Sequence, residues 1–86
     1  MRVQALAPLA LVLRDHLKAD AFAKLGRVEL SDGATVDAER MARIILADVD
    51  RLARDDPHRW LTEREEQDLH DDLVRLLALV AEPAHA

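Results

Sequence analysis

Four histidines, three hydroxyl side chains and no cysteine set the chemistry open to this chain of 86 residues. Covalent catalysis needs a nucleophile, a base and a group that orients the base. The only hydroxyls are Ser31, Thr35 and Thr62. Thr62 precedes Glu65 by three positions and fits a helix cap, which takes it away from catalysis. Gly26 and Gly33 are the only glycines, too few for a phosphate-cradling loop. Covalent and nucleotide-dependent catalysis are therefore not expected.

A metal site needs three or four converging ligands. Glu66, His70 and Asp71 are neighbours, while His16, His58 and His85 are scattered along the chain. Gln67 stands where the Glu-x-x-His pattern of di-iron bundles requires a carboxylate. The expectation is no metal, no cofactor and no small-molecule substrate. Two short resemblances remain. Leu61-Thr62-Glu63-Arg64-Glu65 resembles the opening of a LuxR-type DNA-binding region, but a single leucine-rich helix follows where a second, recognition helix is required. The spacing of Arg64 and His70 resembles the Arg-x₄₋₆-His pattern of HEPN ribonucleases, which implies an RNA-cleaving pair at those two positions.

Charge is unevenly placed. The net charge is −5, and the ten residues from Glu63 to Asp72 hold all of that excess. Their acids are Glu63, Glu65, Glu66, Asp68, Asp71 and Asp72, against Arg64 alone. Carboxylates in a first helical turn favour the helix dipole, but Asp71 and Asp72 lie too far along for that role. A second pattern falls at residues 37–54, where Arg40, Arg43, Arg51 and Arg54 project opposite the apolar side of a helix. Glu39 with Arg43 and Asp50 with Arg54 are favourable i,i+4 pairs, each worth about 0.3–0.5 kcal/mol.

These residues must be carried by helices. Fifteen leucines and fifteen alanines stand against two aromatic residues, Phe22 and Trp60, a composition that favours helix over strand. The length suits one domain. The spacing predicts an all-α, compact three-helix bundle with helices near 8–25, 37–54 and 62–81, and a short β-hairpin at 27–36 as an optional addition. The first helix is expected to start near Pro8 and to end at Gly26, its stripe formed by Leu6, Leu9, Leu13, Leu17 and Ala21. An irregular loop leading to a helix cap at Thr35 or Asp37 competes with the hairpin. Trp60 reads as an aromatic anchor between the second and third helices. Glu82-Pro83 reads as the end of the third. The apolar run before Arg14 is too short to span a bilayer, which takes ~20 residues, and reads as a buried helix of a cytoplasmic protein.

Functionally, the expectation is a non-enzymatic helical module that binds protein, either a second copy or a larger partner. Leu11, Val12 and Phe22, or Leu77 and Leu79, are expected in that contact because they lie off the main stripes. Glu66, Asp68, Asp71 and Asp72 offer an acidic surface and Arg40, Arg43, Arg51 and Arg54 a basic one, or the two sets pair with each other. The alternatives are an acidic inhibitor or antitoxin acting through residues 63–72, and a minimal ribonuclease using Arg64 and His70. A nucleic-acid partner is disfavoured by the net acidity and the scarcity of stacking aromatics, and a membrane partner by the shortness of the apolar run.

Overall fold

Residues 1–30 and 32–81 are described by the computed structural model, and they form three helices and one antiparallel hairpin. Val3–Leu6 make a 3₁₀ turn that runs into the first helix, α1, Ala7–Lys18. Pro8 lies in its first turn, where a missing N–H costs nothing. Val3, Leu6, Ala10 and Leu13, at steps of three and four, are all buried.

The helix predicted to reach residue 25 ends instead at Lys18. Asp20 turns to φ 59°, the Ala21 N–H donates to the His16 carbonyl at 3.0 Å, and the Asp20 N–H donates to the Leu17 carbonyl at 3.1 Å. Those two bonds are the Schellman closure, which satisfies the last carbonyls of a helix around one left-handed residue. Aspartate is among the few side chains that visit that region readily. The early stop redirects the chain, and Phe22 swings into the core with 1% exposure. The His16 ring meets it edge-on, with 6.3 Å between centroids.

The hairpin exists. Gly26, at φ 65°, opens strand β1, Arg27–Glu29, which pairs antiparallel with β2, Thr35–Asp37. Val28 faces Val36 across the ladder, and Leu30 at the turn is buried. The cap expected at Asp37 is present as well, since its carboxylate accepts the Arg40 N–H at 3.0 Å. Hairpin and cap are one device that leads directly into the second helix, α2, Ala38–Asp55. Its core face is Ala38, Ala42, Ile45, Val49 and Leu52.

The third helix, α3, is continuous but not uniform. Glu63–Glu65 are α-helical, Glu66–Asp71 form a π-helical stretch, and Asp72–Ala81 return to α geometry. The predicted capping box is made: Thr62 Oγ1 accepts the Glu65 N–H at 3.1 Å and Glu65 Oε1 accepts the Thr62 N–H at 3.0 Å. The stop expected at Glu82-Pro83, like His85 and Ser31, lies outside the described residues. The three helices pack on one another around Leu6, Leu13, Phe22, Ile45, Leu73 and Leu76, and the core of this α fold sits there. The amino-terminal segment is laced to the connector between α2 and α3. The Val3 N–H bonds to the Arg59 carbonyl, the Gln4 N–H to that of Pro57 and the Leu61 N–H to that of Met1, each at 2.8 Å.

Candidate functional site

Helix α2 shows solvent a stripe of Arg40, Arg43, Ile44, Ala47, Arg51 and Arg54. The arginines face outward as their spacing predicts, since steps of three and four from Arg40 keep to the side opposite Ile45 and Val49. Their pairing departs from expectation. Arg43 reaches Glu39 at 2.9 Å, as predicted. Asp50, expected to hold Arg54, is instead gripped by Arg14 of α1 at 3.0 and 3.2 Å. Asp50 lies on the flank of α2 that faces α1, so an interhelical arginine reaches it. Among the described residues Arg51 pairs with Asp48, at 3.7 Å. The side chains of Arg40 and Arg54 make no hydrogen bond or ion pair among the described residues.

Ile44 was not singled out by periodicity, because it lies 100° from Ile45 and off the apolar stripe. It is 44% exposed, a β-branched side chain set among arginines. Three shallow depressions meet at it. One is lined by Glu39, Arg40, Arg43 and Ala47, one by Asp37 with the hairpin residues Arg27 and Val36, and one by Leu30, Leu69 and Arg64 with the acids Asp48 and Asp68. Its oddity within a charged face was the signal available beforehand.

The acidic stretch is largely committed inside the molecule, and its partners are not Arg51 and Arg54. Arg59 binds Glu65 in two-pronged fashion, at 3.0 and 2.8 Å. That pair, with the Thr62 amide, pulls the Glu65 carboxyl from its usual 4.5 down to about 2 and pushes the Arg59 guanidinium up. The Met1 amino group lies 3.0 Å from Glu66 and Arg64 lies 3.6 Å from Asp68. Arg51 borders a shallow depression with Glu65 and Asp68 but turns its guanidinium to Asp48, while Arg59 of the connector and Arg64 of α3 itself take those two acids.

Three residues expected in a partner contact are not on the surface. Phe22 is in the core for the reason given above. Leu77 packs in the same cluster, because α3 meets both other helices and buries a wider face than one stripe. Asp72, read as part of the exposed patch, is 5% exposed. Its spacing held the signal: three residues after Leu69 and four before Leu76, it occupies a core-facing position. Leu11, Val12 and Leu79 do face solvent, at 61%, 44% and 39% exposure, and so does Val74. Trp60, expected to anchor the connector, is 61% exposed with the Arg2 guanidinium 4.7 Å above its ring.

Arg64 and His70 are engaged separately. Arg64 turns to Asp68, while His70 Nδ1 is 3.0 Å from Asp71 and does not line the groove that Arg64 borders. Among the described residues, no three histidine, aspartate or glutamate side chains are placed to hold a metal ion. No helix among them is long and apolar enough to cross a membrane. Comparison with protein-family models, curated proteins and solved structures finds no significant match. The surface must therefore be read from its own chemistry.

Proposed function

We propose that this chain is a non-enzymatic protein-interaction module, a small helical subunit that works by contacting another protein. The carrying observation is the set of large apolar side chains left in water: Leu11, Val12, Ile44, Trp60, Val74 and Leu79. Full burial of one such side chain is worth roughly 1.5–3 kcal/mol, so a partner that covers several gains a substantial hydrophobic contribution. A core built from leucine and alanine on so short a chain leaves that gain unrealised in the lone molecule.

The competing readings find less support. The acidic stretch already has cations on Glu65, Glu66 and Asp68, which leaves fewer free carboxylates for masking a basic surface. The ribonuclease reading would need Arg64 and His70 to converge, and each is bound to a different aspartate.

Native mass spectrometry of the protein purified from its host, with light scattering of the recombinant chain, tests the proposal. A stable complex, either with itself or with another protein, is expected, and Leu11→Ser with Leu79→Ser should weaken it while leaving the helical circular dichroism unchanged. A monomer at high micromolar concentration that brings nothing with it from the host overturns the proposal.

A further inference from the structure

We infer that the outward face of α2 receives an acidic amphipathic helix from another protein. The inference rests on the interaction-module reading and specifies the partner's chemistry. Arg40 with Arg43 and Arg51 with Arg54 form two pairs eleven residues apart, which is about 16 Å along the helix. Between them lie Ile44 and Ala47, both exposed. A short side chain at the centre lets a second helix approach closely, at the ~8–10 Å axis separation of packed helices. Ile44 beside it supplies an apolar wall and lines three shallow depressions. The complementary segment carries one bulky apolar residue over Ala47 and carboxylates toward each end. The guanidinium fork matches carboxylate geometry, and Arg40 and Arg54 have no internal partner among the described residues to give up.

The occupant is not the chain's own acidic stretch. Glu65, Glu66 and Asp68 are held by Arg59, the Met1 amino group and Arg64, and Asp72 is buried. Nor does the face suit nucleic acid. The centre of the face, Ile44 and Ala47, is aliphatic, with no ring on which a base could stack.

The probe is a display library of helical peptides about five turns long, with charge randomised, selected on the intact protein. The expected winners carry aspartate or glutamate on both sides of a bulky apolar residue. The Arg40→Glu, Arg54→Glu double variant is expected to weaken them by roughly tenfold or more, and added salt to weaken them further. Both arginines are exposed, so the variant keeps its helical circular dichroism; should it fail to fold, Arg40→Gln with Arg54→Gln makes the same comparison. Neutral or basic winners, winners that bind the double variant equally well, an empty selection, or displacement by a short single-stranded RNA each overturn the acidic-helix assignment. None of these touches the module reading, which falls only if mass spectrometry and light scattering find a monomer without a complex.

Discussion

Glu65 is held by Arg59 on one side and by the Thr62 amide on the other, so one carboxylate both caps α3 and ties it to the connector. Its carboxyl titrates near 2 in the folded protein, below the ordinary 4.5. A group whose folded pKa is depressed contributes stability above its unfolded pKa and loses it as pH falls toward the folded value. The contribution of Glu65 should therefore be intact at neutral pH and disappear between about pH 4.5 and 2. Glu65→Gln keeps the acceptor for the Thr62 amide but removes the charge. Denaturant midpoints should show the variant less stable than wild type at pH 7, with the gap narrowed at pH 3 and closing only toward pH 2. A gap that persists unchanged at pH 3 would mean that the loss is steric. At this scale the sequence was only partly legible. The capping box could be read from Thr62 and Glu65 alone, because its partners are three residues apart. The Arg14–Asp50 and Arg59–Glu65 pairs could not, because they depend on how separate elements pack.

Helix α1 ends at Lys18 because Asp20, two residues on, takes the left-handed conformation and closes the last turn. An L-residue there costs roughly 1–2 kcal/mol, less for aspartate than for most, and glycine avoids that cost. Glycine also loosens the unfolded chain, which offsets about 0.4–1 kcal/mol of the relief. Asp20→Gly should thus be neutral to stabilising by up to ~1 kcal/mol, whereas Asp20→Val should destabilise clearly. Thermal melts of the two variants check the pair; a strongly destabilised glycine variant would show that the aspartate side chain itself is needed. This helix end does not lie where the sequence pattern points. Ala21 extends the three-and-four spacing of the stripe past the real terminus, and Gly26 presents a textually stronger stop than aspartate. The boundaries of α2 were legible because its cap at Asp37 and the Asp56-Pro57 stop both lie at its ends.

Across the whole molecule, the modest volume of alanine throws weight onto a few large side chains. Phe22, the one aromatic residue in the core, fills space under the turn after α1 and against His16. Phe22→Ala should cost about 3–5 kcal/mol, comparable with the entire net stability expected of a small domain. Its helical signal should melt broadly and far below the wild-type transition; a sharp melt within a few degrees of wild type would show that the core can close over the gap. The helix count followed from periodicity, but of the stripe expected on the first helix only Leu6 and Leu13 are buried, while Leu9, Leu17 and Ala21 are half-buried. The binding face did not follow from periodicity, since Ile44 matters through the depressions that the hairpin and α3 build beside it. The π-helical stretch at Glu66–Asp71 has a further consequence, for how the chain tolerates changes of length. Deleting a residue from an ordinary helix rotates everything beyond it by about 100° and takes the apolar face out of the core. A π turn already holds surplus chain relative to α geometry, so loss of one residue there, such as Gln67, lets the helix tighten while Leu73 and Leu76 keep their places. It is the point within α3 where a codon can be lost without shifting the register of the core.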